Sequence, residues 1–264
     1  MNLSISNIAW SADMDEKVYN MMADIGFTGL EIAPTRIFAD HPYESDEKAS
    51  DWAVQLFTDY GLCVPSIQSI WYGRTENIFS SEDERIALTE YTKKAIDFAK
   101  SIRCRNLVFG CPRNRNNINN KKVECVIDFF RVIGDYASSR GTVIGIEANP
   151  PIYNTNFITT TSDAIRFIRE VDSQGIKLNL DVGTMLYNNE DIEELRGNVH
   201  LISHVHISEP GLIPINRHEL HDELYTLLYE EKYSGYVSIE MGKQEDIGII
   251  AGAMEYVGSK FGRG

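Results

Sequence analysis

Short apolar runs rich in valine, isoleucine and leucine alternate along the chain with longer stretches in which apolar residues recur every three or four positions. The short runs predict eight β-strands, at residues 3–10, 29–34, 63–71, 106–112, 143–150, 176–183, 202–210 and 236–241. The longer stretches, such as SEDERIALTEYTKKAIDFAKSI and VECVIDFFRVIGDYASSRG, predict amphipathic helices. Strand and helix therefore alternate from one end of the sequence to the other.

This alternation predicts a parallel sheet. Continuous apolar strands separated by helices are typical of a parallel sheet that is covered on both faces. Eight such strands in 264 residues fit one closed barrel, which usually needs about 250 residues. We therefore predict an α/β fold, a (β/α)8 TIM barrel, with residues 1–264 forming a single domain. No glycine-rich nucleotide fingerprint follows any of the runs.

Composition narrows the class of partner. The hydrophobic fraction of 43% and the charged fraction of 24% are those of an ordinary globular protein. A formal net charge of -14 argues against nucleic acid, which requires clustered cations, but allows a small anionic substrate. No signal peptide or membrane-length apolar run is visible, and the four cysteines form no CxxC pair. We therefore expect a cytoplasmic enzyme without a membrane partner; the sequence leaves open whether it forms a homo-oligomer.

Four polar residues stand at the ends of four consecutive predicted strands. They are Glu147, Asp181, His206 and Glu240. The carboxyl ends of barrel strands meet at one mouth, where active sites form. Three carboxylates brought together there repel one another unless a cation neutralises them. The sequence therefore predicts one divalent metal ion, and the mixed oxygen and nitrogen donors suit Mn²⁺, Mg²⁺, Co²⁺, Fe²⁺ or Zn²⁺ alike.

Other interpretations of these positions remain open. A single carboxylate at a strand end also fits a helix cap or a loop ion pair, and a single histidine fits the core. His204 shares the strand face of His206 but lies about one layer deeper, so it is either a supporting histidine or the ligand itself. Glu209 could orient His206 by accepting its other ring N–H. Glu31 and Arg36 either join the site or pair with each other.

Candidate substrate contacts follow the first, third, fourth and seventh strands. Guanidinium and amide groups suit a phosphate or carboxylate, and aromatic rings suit a sugar face. Tyr72 could extend the aromatic wall. The basic residues also fit a solvated loop, and the aromatic ones fit core packing. The predicted substrate-binding residues are Trp10, Gln68, Trp71, Arg113, Asn114, Arg115 and Arg217.

At these residues the chain resembles the xylose isomerase-like barrel superfamily, the sugar phosphate isomerase/epimerase group that also contains ketose 3-epimerases, inosose dehydratases and endonuclease IV. The resemblance is carried by GFTGLEI at the second strand, by the order E…D…HxH…E on strands five to eight, and by GYVSIE. It implies that Glu147, Asp181, His206 and Glu240 bind the metal. It also implies that Glu147 and Glu240 act as paired acid and base on a sugar or sugar phosphate, through an enediolate.

The sequence departs from these relatives at two positions. Many relatives have a histidine three residues after the aspartate, where this chain has Thr184, and the 3-epimerases have a second glutamate where this chain has Tyr153. Both lost groups contact sugar oxygens in the relatives. A metal-dependent isomerase or epimerase is therefore the first hypothesis. Because the two sugar-contacting groups are missing, the sequence does not favour a free-ketohexose 3-epimerase in particular.

Three other functions are alternatives to this hypothesis. A metal-dependent dehydratase or lyase of an inosose-like or keto-polyol substrate begins with the same proton abstraction. A catalytically idle sugar-binding barrel is favoured by Thr184 and Tyr153. A nuclease like endonuclease IV needs several metals and further histidines, whereas strands three and four offer Gln68 and Gly110.

Overall fold

Helices and strands alternate throughout the described part of the chain, which in this computed structural model comprises residues 1–44, 46–118 and 121–262. The strands are β1 Asn2–Ser6, β2 Gly29–Glu31, β3 Ser66–Ile67, β4 Asn106–Phe109, β5 Val143–Glu147, β6 Ile176–Asp181, β7 Ile202–Ile207 and β8 Tyr236–Ile239. The helices are α1 Asp15–Asp24, α2 Pro34–Ile37, α3 Asp46–Tyr60, α4 Glu82–Ser101, α5 Glu124–Ser139, α6 Thr161–Val171, α7 Val182–Asn188, α8 Glu219–Glu230 and α9 Ile247–Phe261. Seven of these strands lie within their predicted runs, and β1 begins one residue before its run.

All strand pairs are parallel, and their order is β2-β1-β8-β7-β6-β5-β4-β3. The two end strands, β2 and β3, meet through isolated bridges rather than a continuous ladder. At this seam the backbone N–H of Gln68 donates to the carbonyl of Ile32 at 2.7 Å. The sheet is therefore a nearly closed barrel, and the predicted TIM barrel is confirmed.

The seam between β2 and β3 contains few hydrogen-bonded pairs because β3 is only two residues long. Pro65, just before it, has no N–H to donate to a neighbouring strand. Ser69, just after it, has a φ of 38°, which is outside the extended region. Regular pairing therefore stops on both sides of Ser66–Ile67.

The helices pack their apolar faces on the outside of the barrel. In α5 the buried residues recur at helical spacing, and Phe130 is completely buried among them. Its ring lies 4.8 Å from that of Phe109 on β4 and 5.2 Å from that of Phe167 on α6, both edge to face. No helix among the described residues is both long and hydrophobic enough to cross a bilayer.

Polar side chains connect β3, β4, β6 and β7 below the carboxyl ends of the strands. The amide nitrogen of Asn106 donates to Ser66 Oγ at 3.0 Å and to Asn179 Oδ1 at 3.4 Å. Ser203 Oγ donates to Asn106 Oδ1 at 2.7 Å. Because buried polar groups that are paired stabilise one arrangement of their neighbours, this network provides a fixed support for the residues above it.

Candidate active site

Glu147, Asp181, His206 and Glu240 converge at the carboxyl ends of β5 to β8. Each offers one donor atom, and these four atoms all lie within 4.8 Å of one another. Glu147 and Asp181 are the last residues of their strands, and Glu240 directly follows β8. His206 lies within β7, in register with Asp181 on β6. The structure thus brings together the four residues that the sequence singled out as metal ligands.

Amide groups orient the Glu147 carboxylate. Asn179 Nδ2 donates to Oε2 at 2.8 Å, and Asn149 Nδ2 donates to Oε1 at 2.9 Å. Gly110 lies against the same carboxylate, since a Cβ added at residue 110 would overlap Oε1 of Glu147. The side chain is therefore confined on two sides.

Asp181 has a second role as the N-cap of α7. Its Oδ1 accepts a hydrogen bond from the backbone N–H of Thr184 at 2.6 Å, as expected of an aspartate before a helix. Its Oδ2 accepts one from Ser208 Oγ at 2.5 Å. The two interpretations considered for this position, cap and ligand, are therefore compatible in one side chain.

His206 lies between carboxylates on both edges of its ring. Its Nδ1 is 3.1 Å from Glu147 Oε2 and 3.2 Å from Glu240 Oε2. Its Nε2 is 3.0 Å from Oε2 of Glu31, which is fully buried on β2. When Nε2 carries the proton and donates it to Glu31, Nδ1 is left without a proton. Its lone pair then faces the carboxylates of Glu147, Asp181 and Glu240.

His204 faces the same Glu31 oxygen from one layer deeper. Its Nε2 is 2.9 Å from Glu31 Oε2, although it is not aligned for a hydrogen bond. Glu31, His204 and His206 thus form a second buried acidic and imidazole group that shares His206 with the first. Glu31 does not pair with Arg36, whose guanidinium binds Asp15 instead.

Gln68 links the two groups of residues. Its Nε2 donates to Glu31 Oε1 and to Glu240 Oε1, at 2.7 Å in both cases. Glu31 therefore fixes His206 directly and Glu240 through Gln68.

The electrostatics of the site reflect crowded negative charge. Removal from water, together with the charges of Glu147 and Glu240, raises the pKa of Asp181 to about 7. Burial alone would lower the pKa of His206, but the charges of Glu31 and Glu240 raise it well above its usual value. Burial would likewise raise the pKa of Glu31, yet His206 and His204 hold it well below its usual range. The carboxylates at this mouth thus favour a positive charge between them.

The donor set fits a divalent cation. Three carboxylates and one imidazole nitrogen match the hard and borderline ions that such mixed sites bind. Such an ion would be held by Glu147, Asp181, Glu240 and Nδ1 of His206. A bound ion would replace the ring proton at Nδ1, since metal ligands bind in their deprotonated form.

A cavity of about 470 Å³ opens above these groups. Three of the four candidate ligands line it, and His206 lies beneath them, fully buried. Tyr153 lies in its wall, and its hydroxyl accepts a hydrogen bond from the backbone N–H of Gly211 at 2.9 Å. Thr184 does not line the cavity and donates instead to the carbonyl of Ala148. Of the two positions at which the chain departs from its relatives, only Tyr153 therefore faces the cavity.

Of the predicted substrate-binding residues, Gln68 lines the cavity. The indoles of Trp10 and Trp71 are buried, and they donate to Asp15 Oδ1 and to Thr92 Oγ1. Both rings therefore lie within the core rather than in the cavity wall. Tyr72, next to Trp71, does line the cavity.

The basic loop after β4 also faces away from the cavity. Arg115 is fully buried, where it donates to the carbonyl of Glu147 and to Asn149 Oδ1. Asn114 donates to two carbonyls of the preceding loop, and Arg113 is exposed outside the cavity. Arg217 lies against the ring of Tyr256 in a separate surface depression. These four residues hold loops or face solvent and do not contact the cavity.

Glu209 lines the cavity but does not reach His206. Its Oε1 accepts from the backbone N–H of Asn216 at 2.8 Å and lies 2.8 Å from Nε2 of His218. It holds the loop after β7, and Glu31 has the orienting position that the sequence suggested for Glu209.

Sequence reasoning missed several cavity residues. Asn149 follows Glu147 by two residues, and its place in a strand-end motif could have identified it. Tyr43 and Tyr91 come from the segment after α2 and from α4, far from any strand end, so no local signal identifies them.

Comparison with known proteins supports the architecture. A family model for xylose isomerase-like TIM barrels matches residues 20–257. Solved structures with a similar fold include 3-keto-D-glucoside 4-epimerase from E. coli, which is 20% identical with a TM-score of 0.78 over 98% of this chain and 99% of that one. D-psicose 3-epimerase from Clostridium cellulolyticum H10 is 16% identical, with a TM-score of 0.78 over 99% of each chain. A family 2 AP endonuclease from Brucella melitensis is 16% identical, with a TM-score of 0.72 over 98% of this chain and 99% of that one.

No curated protein matches the chain. At these identities the solved structures establish a common fold, whereas the family model covers most of the sequence. The chain therefore belongs to the xylose isomerase-like TIM barrel family.

Proposed function

We propose that the chain is a divalent-metal-dependent epimerase or isomerase that acts on a neutral sugar by removing a proton next to a carbonyl. The observation that carries the proposal is the pair Glu147 and Glu240. Both carboxylates line the cavity, and they contact the same Nδ1 atom of His206 at 3.1 and 3.2 Å. Two oriented carboxylates beside one metal-binding centre are what enediolate chemistry needs.

The reaction follows from these two groups. One carboxylate takes the proton from the carbon beside the carbonyl, and the electrons of the broken C–H bond form the C=C bond of an enediolate. The other, which holds a proton at the start of the reaction, gives it to the opposite face of the same carbon, which inverts that carbon. If the proton goes instead to the neighbouring carbon, the hydroxyl proton passes to the former carbonyl oxygen and the carbonyl moves. A bound divalent ion supplies positive charge for the developing oxyanion.

The surrounding residues keep both carboxylates ready for this role. Asn149 and Asn179 donate to Glu147, and Gln68 donates to Glu240. These hydrogen bonds fix the direction of the carboxylate oxygens. Each glutamate can thus receive a proton without first rearranging.

Charge in the cavity favours a neutral sugar over a sugar phosphate. The one arginine among the described lining residues, Arg36, has its guanidinium bound to both carboxylate oxygens of Asp15 and to the carbonyl of Trp10. Among the lining residues that the structure describes, no cation is left to pair with a phosphate, whereas four are carboxylates: Glu147, Asp181, Glu209 and Glu240. Even with a divalent ion bound, these carboxylates leave the lining net negative, which disfavours a phosphate dianion.

The proteins with a similar fold support a sugar as the substrate. The neighbours include a 3-keto-D-glucoside 4-epimerase and a D-psicose 3-epimerase, both of which are sugar epimerases. The proposal for this chain rests on its own carboxylates.

Hydrogen exchange tests the proposal. The protein is purified without added metal, its metal content is measured, and it is then incubated in ²H₂O with Mn²⁺ and a panel of ketoses, ketosugar glycosides and sugar phosphates. We expect ²H to enter carbon beside the carbonyl of a neutral sugar. Glu147→Gln and Glu240→Gln should each abolish exchange, and Glu230→Gln, which alters an exposed ion pair with Arg196, should leave it unchanged.

Other outcomes decide against the proposal. Net loss of water from a polyol or inosose would establish the dehydratase alternative. Sugar binding without exchange would establish the idle barrel, and exchange confined to phosphorylated sugars would contradict the assignment of a neutral substrate.

A further inference from the structure

We propose that the cavity holds two rings, so that the substrate is a neutral glycoside whose second ring lies against Tyr72, Tyr43 and Pro42. This inference rests on the proposed function for the first ring and extends it to the part of the cavity that the carboxylates do not reach.

The cavity has two chemically different halves. The loops after β5 to β8 contribute the carboxylates and Asn149. The segments after β2 and β3, together with α4, contribute proline and tyrosine rings, including Pro42, Tyr43, Tyr72 and Tyr91. One half is therefore suited to a reacting polar ring, and the other to the face of a ring that only binds.

The aromatic half continues beyond the main cavity. An adjoining cleft of about 240 Å³ shares the walls Thr35, Pro42, Tyr43, Tyr72 and Tyr91 with it. The cavity of about 470 Å³ already lies in the range of about 300–1,000 Å³ that pockets for drug-sized ligands occupy. Cavity and cleft together therefore exceed what a single sugar ring fills.

Tyr72 is held at the junction of the two spaces. Its side chain is 71% exposed, and within the described part of the chain its hydroxyl has no hydrogen-bond partner. The turn that carries it closes with a hydrogen bond from its backbone N–H to the carbonyl of Ser69 at 2.8 Å. Ser69 has a φ of 38°, a conformation that costs a non-glycine residue free energy. The chain thus keeps an unfavourable backbone angle where it presents an exposed ring to the cavity.

The charges around the cleft are already neutralised. Lys94 is paired with Glu44, and Arg74 with Glu76. Arg74 also lies 4.8 Å from the centre of the Tyr91 ring. An uncharged ring is therefore the occupant that fits, since aromatic side chains bind such rings through apolar contact. In a glycoside the anomeric carbon is locked as an acetal, so the reacting carbonyl lies elsewhere on the first ring.

The test compares free sugars with their phenyl glycosides. Dissociation constants are measured calorimetrically, with Mn²⁺ present, for the 3-keto forms of D-glucose, D-mannose and D-galactose and for the phenyl glycoside of each, so that sugar and glycoside both carry a carbonyl. We expect at least one glycoside to bind about tenfold more tightly than its parent sugar. Tyr72→Ala should weaken that glycoside about two- to tenfold, the range for an aromatic pair, and weaken the parent sugar by less.

Tyr229→Ala is the matched control, because this tyrosine is 67% exposed on α8, away from the cavity. It should change neither dissociation constant. The proposal is overturned if no glycoside binds more tightly than its parent, or if Tyr72→Ala weakens sugar and glycoside equally. If isotope exchange occurs but no glycoside binds more tightly than its parent sugar, only the second-ring site is rejected. If a glycoside binds more tightly but no exchange occurs, only the proposed reaction is rejected.

Discussion

Oε2 of Glu31 lies 3.0 Å from Nε2 of His206, inside the barrel and away from solvent. A carboxylate in this position keeps the proton on Nε2 and directs Nδ1 toward the three other acidic groups. Through Gln68, the same carboxylate is also connected to Glu240. One residue of β2 thus controls the orientation of groups on β7 and after β8.

Glu31→Gln should weaken metal binding. The amide keeps the shape of the side chain but loses the charge that holds the Nε2 proton of His206. We expect the dissociation constant for Mn²⁺, measured by titration calorimetry, to rise about tenfold or more, as for other residues that support metal ligands. Thr92→Val is the control, because it removes a buried hydrogen bond to Trp71 in the outer layer. Equal Mn²⁺ affinity in Glu31→Gln and the parent protein would contradict this role.

Asp181→Asn should stabilise the metal-free protein while it removes metal binding. The pKa of Asp181 is raised to about 7 by removal from water and by Glu147 and Glu240. A raised folded-state pKa means that the folded protein loses stability as pH rises from about 4 to 7. At pH 8 without metal, the variant should therefore be more stable by about 1–2 kcal/mol, because the Asp181 side chain is only partly buried and water screens part of the repulsion.

Thermal unfolding with and without Mn²⁺ measures both effects. The melting temperature of the parent protein should rise when Mn²⁺ is added, and that of Asp181→Asn should not. A metal-free variant that melts below the parent would show that the hydrogen bonds from Ser208 and Thr184 outweigh the repulsion.

Gly110→Ala should displace the Glu147 carboxylate. The added methyl group would overlap Oε1, and the hydrogen bond from Asn149 to that oxygen would be lost. We expect Mn²⁺ affinity and isotope exchange both to fall about tenfold, the change for a loss of about 1.4 kcal/mol. Gly252→Ala in α9 provides the comparison, because its methyl group meets nothing within 4 Å. That variant should gain about 0.5–1 kcal/mol of stability from helix propensity and bind Mn²⁺ normally.

His221 should make the fold sensitive to mild acid. Burial, followed by the charges of His218 and Lys260, lowers the pKa of His221 to about 4. Its Nε2 is buried with no hydrogen-bond partner among the described residues, and its Nδ1 contacts the hydroxyl of Tyr256 at 2.9 Å. Because the unfolded chain binds a proton near pH 6.5 and the folded chain only near pH 4, stability falls as pH decreases through this window.

Urea unfolding between pH 4 and 7 measures this effect. The parent should lose about 2–3 kcal/mol more than His221→Gln over the window, since one pKa unit corresponds to about 1.4 kcal/mol. Parallel curves for the two proteins would assign the acid sensitivity to other groups.

The barrel could be predicted from the sequence because the same pattern, a short apolar run, is repeated eight times along the chain. Each strand is a run of buried residues, and each connection is long enough to return the chain in parallel. The strand ends could be located for the same reason, which is why Glu147, Asp181 and Glu240 stood out.

Side-chain direction could not be predicted in the same way. Arg115 and Trp71 also follow strand ends, but their partners, Asn149 and Thr92, come from other parts of the chain. Glu31 sits in an apolar run, and only the closed barrel brings it against His206, 175 residues later. The directions of these three side chains depend on contacts that a single strand does not encode.

The segments after β2 and β3, which meet only through isolated bridges, carry the aromatic half of the cavity, while the carboxylates stand at the ends of β5 to β8, where each neighbouring pair of strands is joined by four residue pairs. Recognition therefore rests on loops that leave the least paired part of the sheet. Those loops can be exchanged or evolved while the seam residues Glu31 and Gln68, which orient His206 and Glu240, are kept. In this barrel the place to engineer a new specificity is the loops beyond the seam, and the seam itself is the part to preserve.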